Sequence, residues 1–284
     1  MKKKISIAIL MTACFFITVG KIDEEKLDLK KVEKSNVKIS DNIYACKFET
    51  ANYEYREFEN ELKAKSRMEE YKIAVVDSQE WQKKFPYAHH EPLVNMYGCH
   101  PAYDHYPVVN ISYEGADMFC AWLTEKYNAW QGRGFKKVKF RLPTREEWEL
   151  AARGGKYLEN YPFGNYLRDK DGKYLCNYRT MGDEYISSDI DARKFSVVND
   201  QSVHAERFIA DAMMYTAPVH AYWPNGFGIY NMSGNVAEMV NEKGTACGGS
   251  WCDTGYDVRI ESKMNYDKPS PLVGFRYFME VLEK

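Results

Sequence analysis

Asn231, Gly234, Val236 and Glu238 fall in the stretch Asn225-Gly226-Phe227-Gly228-Ile229-Tyr230-Asn231-Met232-Ser233-Gly234-Asn235-Val236-Ala237-Glu238, a run of glycines and amides closed by one carboxylate. Asn and Gly make sharp turns and leave oxygens exposed, which suits a loop better than a packed element. Calcium takes six to eight oxygens from carboxylates, amides and backbone carbonyls. Asn231 and Glu238 offer side-chain oxygens, and Gly234 and Val236 offer carbonyls from a turn that Gly234 permits. The competing reading is a plain turn, with Asn231 and Asn235 capping backbone groups and Glu238 facing solvent. A second cluster, His89, His90, Cys99, His100 and His105, lacks the paired short intervals of a zinc site and reads as polar loop, partly packed on Tyr103 and Tyr106. No Gly-x-Ser-x-Gly elbow or paired-carboxylate motif accompanies these histidines, so hydrolase schemes find no support.

Thiols are the other reactive groups. The chain has seven cysteines, Cys14, Cys46, Cys99, Cys120, Cys176, Cys247 and Cys252. Setting Cys14 aside leaves six, an even number compatible with disulfides in an oxidising compartment, although Cys120 sits on an apolar helical stripe and fits a buried free thiol.

These groups need elements to position them. With 284 residues, 45% hydrophobic, the chain can bury a substantial core as one domain. Its net charge of -2 exerts no long-range pull on nucleic acid or anionic lipid. Met1-Lys2-Lys3-Lys4 followed by the apolar run Ile5 to Val19 reads as an export signal over residues 1–20, being shorter than a spanning helix requires. Thr18-Val19-Gly20 offers a cleavage site, and Met11-Thr12-Ala13-Cys14 an imperfect lipobox, so Cys14 is the one candidate membrane anchor. Residues 21–38 mix acids and lysines and read as a charged linker, which places the domain at 39–284.

Tyr55, Phe58 and Leu62 at helical spacing predict a helix over about 51–65. Ser112 can cap a second, whose stripe is Ala116, Phe119, Cys120, Leu123 and Tyr127. Val138, Phe140 and Leu142 alternate with charges as a short strand ending at Pro143. Thr144 and Glu147 form a Thr-x-x-Glu capping box for a helix reaching about Arg153 and stopped by Gly154-Gly155. From Tyr157 onward periodicity fades into a long loop-rich half, which needs metal, disulfides or a similar device to hold it.

The glycine-asparagine stretch, followed by Gly248-Gly249-Ser250-Trp251 and Gly274-Phe275-Arg276, resembles the formylglycine-generating-enzyme (sulfatase-modifying factor) family. So do Pro107-Val108-Val109-Asn110-Ile111-Ser112-Tyr113 and Phe140-Arg141-Leu142-Pro143-Thr144-Arg145-Glu146-Glu147-Trp148-Glu149-Leu150-Ala151-Ala152-Arg153-Gly154-Gly155. The resemblance runs from about Ile39 to Val281 and implies an α+β, loop-rich, C-type-lectin-like fold. It implies a calcium site at Asn231, Gly234, Val236 and Glu238. It also implies a second, from the Asn177 and Asp211 side chains and the carbonyls of Tyr178 and Met213.

The family's chemistry fits less well. Oxidising members hold copper between two cysteines just after Gly-Gly-Ser, and soft thiolates suit Cu(I). Here Cys252 is followed five positions later by Asp257, and Cys247 lies on the other side of Gly-Gly-Ser. Ala237 and Met239 stand where catalytic members often carry two indoles beside the substrate groove. The expected function is therefore a non-oxidising, calcium-stabilised, exported protein that binds an envelope or secreted protein partner. Two alternatives are a copper oxidase using Cys247 and Cys252, and a glycan-binding module built on the 22 tyrosines and six tryptophans. The calcium-lectin motifs Glu-Pro-Asn and Trp-Asn-Asp are absent from the chain.

Overall fold

The computed structural model describes residues 25–84, 86, 91–179, 184–189, 194–199 and 215–284, the two middle strands as backbone only. The proposed export signal, Cys14, His89, His90, Asp211 and Met213 lie outside the described residues. Among those described, no helix is long and apolar enough to cross a membrane.

The first correction comes at the N-terminus. Residues 29–38 belong to the domain instead of a linker: α1 (Leu29–Ser35) is capped by Asp28, and β1 (Asn36–Lys38) pairs antiparallel with β2 (Ile43–Cys46). Few apolar residues suffice here. Val32 is buried, and Leu27 and Leu29 pack against the main core while the charges stay outside.

β2 also pairs with β10 (Phe278–Glu283), which pairs on its other side with β3 (Lys137–Arg141), giving a four-stranded antiparallel sheet in the order β1-β2-β10-β3. Phe278 lies opposite both Ala45 and Arg141, so the last strand is held between early and middle segments of the chain. The expected alternation holds in β3, with Val138 and Phe140 buried, Lys137 and Lys139 exposed and Arg141 half-buried.

Helices α2 (Asn52–Ala64) and α6 (Tyr113–Ala129) cover this sheet. Both form where the apolar spacing placed them, and the Ser112 Oγ accepts the Gly115 N–H at 3.0 Å as an N-cap. Tyr55, Phe58, Phe119 and Trp122 meet Phe140, Phe275 and Tyr277 in an aromatic core of mostly edge-on and tilted contacts. Between these helices lie three short ones, α3 (Met68–Ala74), α4 (Glu80–Lys84) and α5 (Glu91–Met96).

Helix α7 (Arg145–Arg153) starts at the expected box: the Thr144 Oγ1 accepts the Glu147 N–H, and Glu147 accepts the Thr144 N–H at 2.8 Å. It ends at Gly154, whose φ of 56° is the left-handed conformation glycine adopts without strain. Thr144→Ala is expected to lower stability by about 1 kcal/mol in urea unfolding, the usual worth of an N-cap.

The second half has little regular structure, as expected. Strand β4 (Glu184–Asp189) pairs antiparallel with β5 (Lys194–Asn199). A small sheet then follows, ordered β8-β7-β6-β9, from β6 (Ala237–Met239), β7 (Thr245–Cys247), β8 (Lys263–Asn265) and β9 (Val273–Gly274).

Candidate functional site

The glycine-asparagine loop is buried from Asn231 to Val240. Its three asparagines do what a backbone ladder does elsewhere. Asn225 donates from Nδ2 to the carbonyls of Ala151 and Ala152, where α7 ends, and accepts the Phe227 and Ile229 N–H groups on Oδ1. Asn235 accepts the Ala217 N–H at 2.7 Å and donates to the Ala217 carbonyl at 3.2 Å, closing a two-way bridge to a neighbouring segment. Its backbone N–H reaches the Asn177 carbonyl at 2.7 Å. Gly234 is required at that contact. Its φ is +73°, and a Cβ there would sit 2.1 Å from the Asn177 oxygen.

Glu49 stands behind the loop, from far upstream. Its carboxylate accepts from the Asn231 amide at 2.8 Å and from the Asn235 amide at 2.9 and 3.1 Å. Burial, then the neighbouring Glu238 charge, push its pKa up to about 8 against the pull of Arg276 and the two asparagines. Nothing in the local sequence signals this residue, since its partners lie over 180 positions away.

Asn231 donates both to Glu49 and to the Val219 carbonyl, an orientation that leaves its Oδ1 buried with no partner. An orphaned amide oxygen in a closed polar loop is the kind of group a hard cation satisfies.

Glu238 does not face solvent, as the turn reading required; it is 1% exposed. Its Oε1 accepts from Arg276 Nη2 at 2.6 Å, and its Oε2 accepts from Arg276 Nε at 2.9 Å and from Trp148 Nε1 at 2.7 Å. Arg276 goes on to donate to the carbonyls of Cys46 and Tyr230, so one guanidinium bolts β2, the loop and β6 together. Of the four residues of the first expected cation site, Asn231 therefore keeps a free oxygen, while Glu238 shares its charge with Arg276.

The second expected set is only half in view. Asn177 is buried, but its amide donates to the Tyr215 carbonyl at 2.6 Å and to Asn235 Oδ1 at 3.3 Å, so it ties the two loop segments together. Tyr178 follows it, with its ring edge-on to Tyr174.

The thiols stand apart. All six described cysteines are free. Cys247, on β7, is fully buried beside Trp148, Met232 and Ile260, and burial pushes its pKa up to about 12. Cys252 is half-buried and belongs to a different cluster, around Trp81, Tyr97 and Trp251. Asp257, five positions after Cys252, is exposed and takes the Thr254 hydroxyl at 2.7 Å. Asp253 caps the Gly-Gly-Ser turn by accepting the Ser250 N–H and hydroxyl.

Ala237 and Met239 require a correction. They are not the trimmed wall of a groove but lie fully inside the main core, because β6 is an interior strand between β7 and β9. The histidines behave as loop residues. His100 Nδ1 accepts the Ala102 N–H, and His105 pairs with Glu25 and packs edge-on to Tyr53, where Tyr103 and Tyr106 were expected. Among the described residues, no group of three His, Cys, Asp or Glu is placed to hold a metal.

Over 133 residues the chain is 34% identical to the formylglycine-generating enzyme of Thermomonospora curvata, a match covering 47% of this chain and 32% of that protein. Over 187 residues it is 29% identical to the inactive C-alpha-formylglycine-generating enzyme 2 of Bos taurus, covering 60% and 49%. The chain thus spans about half the length, or less, of these curated relatives. Among solved structures, that of CarF is similar with a TM-score of 0.48 at 19% identity, covering 84% of this chain and 86% of that one. The sulfatase-modifying factor enzyme 1-like domain matches residues 12–281. That match spans nearly the whole sequence, and the chain belongs to the sulfatase-modifying factor family.

Proposed function

We propose that this chain is a non-oxidising, exported member of the family, a calcium-stabilised scaffold whose loop face engages a protein partner in the cell envelope. The thiols carry the reading. A copper-binding dithiolate needs two accessible, ionisable sulfurs side by side. Here Cys247 is sealed in the core and Cys252 packs in a separate cluster, with a turn-capping Asp257 at the position of a second thiol.

The orphaned Asn231 oxygen and the tight Gly234 turn support the cation. Asn231, Gly234, Val236 and Glu238 would hold it, Glu238 lending charge that it shares with Arg276. Calcium bound there would supply fixed positive charge to the loop half, and the chain's own contribution is to orient the Asn231 amide. Asn177, Tyr178, Asp211 and Met213 would form the second site. The apolar stretch from Ile5 to Val19 supports export, and Cys14 would be the point of lipid attachment.

Metal analysis of the purified chain should find calcium and no copper, and chelation with EGTA should lower the melting temperature by several degrees. Incubated with copper, oxygen and a Cys-x-Pro-x-Arg peptide, the chain should yield no aldehyde. Aldehyde that disappears on Cys252→Ser would replace this reading with the oxidase one, in which Cys247 and Cys252 work as an altered pair.

A further inference from the structure

A cavity of about 320 Å³ lies between α1, β2 and the start of α2, away from the Gly-Gly-Ser turn and its thiols. Its size is at the lower end of small-molecule sites. Val32, Phe48, Ala51 and Val219 supply apolar wall, and the carboxyls of Glu49 and Glu54 reach it from within. The two differ in their partners. Glu49 is held by the asparagine amides described above.

Glu54 is 8% exposed. One of its oxygens accepts the Ala51 N–H at 2.9 Å, and among the described residues no hydrogen bond or ion pair reaches the other. Of the basic side chains lining the cavity, Lys31 and His105 both pair with Glu25, and His220 packs edge-on to His105. A carboxyl removed from water without a counter-charge is costly, and burial here pushes Glu54 up to about 7. The cavity therefore presents an acid lacking a cation at the end of a short apolar chamber.

We propose that this cavity is a binding site for a small primary alkylammonium, its alkyl chain against Phe48, Ala51 and Val219 and its ammonium on the free oxygen of Glu54. The ammonium has three donors, one of which can satisfy that oxygen. A short unbranched chain fits within the volume. The site is independent of the proposed cation at Asn231, although Glu49 forms a wall between the two.

The test is calorimetric titration of the full chain at pH 8 with n-butylammonium and, separately, with n-butanol, which keeps the alkyl body but lacks the charge. Saturable binding of n-butylammonium, at least tenfold weaker for n-butanol and at least tenfold weaker in Glu54→Gln, is the expected result. Glutamine keeps an oxygen for the Ala51 N–H, so the start of α2 survives in this variant. No saturable binding, equal binding of the alcohol, or undiminished binding in Glu54→Gln would overturn the proposal. Should Glu54→Gln fail to fold, the comparison of the two probes on the unaltered chain decides.

Discussion

Arg276→Met is expected to destabilise the fold by about 3–5 kcal/mol, the range seen when one partner of a buried ion pair is removed. The side chain is 0% exposed and makes four hydrogen bonds, two to Glu238 and one each to the carbonyls of Cys46 and Tyr230. Its loss leaves Glu238 charged in the interior, close to a second buried carboxyl, Glu49, whose ionised form the guanidinium also favours. Equilibrium urea unfolding of the single variant measures the loss. The double variant Arg276→Met/Glu238→Gln should recover part of it, because the glutamine oxygen still accepts from Trp148 and no charge is stranded. Recovery stays incomplete, since the Cys46 and Tyr230 carbonyls keep no donor. Equal instability of the single and double variants would show that the arginine acts by filling space and not by balancing charge.

How much of this was legible in the sequence follows from the range of each interaction. Helices α2, α6 and α7 were readable because their signals are local: Tyr55, Phe58 and Leu62 repeat within two turns, and Ser112 and Thr144 bond residues three positions away. The N-terminal segment reads as a linker because it invests only Leu27, Leu29 and Val32 in the core, too few to stand out among its lysines and acids. The loop from Asn225 to Glu238 was recognisable as a built structure, but its residues serve each other more than expected. Asn235 was a turn residue on paper and is the bridge to Ala217 in the fold. Glu49 and Arg276 organise the site from about 180 positions upstream and 38 positions downstream, distances at which no spacing rule operates. Resemblance alone places Ala237 and Met239 at a groove; the strand order of the small sheet decides their burial, and strand order is not a local property.

Stability should fall as the pH rises from about 4.5 to 8, opposite to the trend set by salt-bridged surface carboxylates. Burial, the largest influence, moves Glu54 from an ordinary 4.5 to about 7, and burial with the Glu238 charge moves Glu49 to about 8. In the unfolded chain both carboxyls have lost their protons by pH 6, whereas the fold retains them. Folding therefore takes up protons in this window, and raising the pH works against it. For Glu54 alone the effect is about 3 kcal/mol once the pH exceeds its folded value, on the scale of about 1.4 kcal/mol per pH unit. Below pH 4.5 the sign reverses. At Glu61 burial pushes upward, but hydrogen bonds from Lys126 and Lys65 outweigh it and hold the group at about 2, so its contribution disappears as the pH drops toward that value. The expected profile is a maximum near pH 5. Urea midpoints at pH 4, 5, 6.5 and 8 on chelator-treated protein measure it, and Glu54→Gln should flatten the fall between pH 5 and 7 while leaving the acid limb intact. A profile that rises steadily from pH 5 to 8 would mean that Glu54 is ionised in the fold, and a cation held against it from outside the chain would then be needed to keep it so.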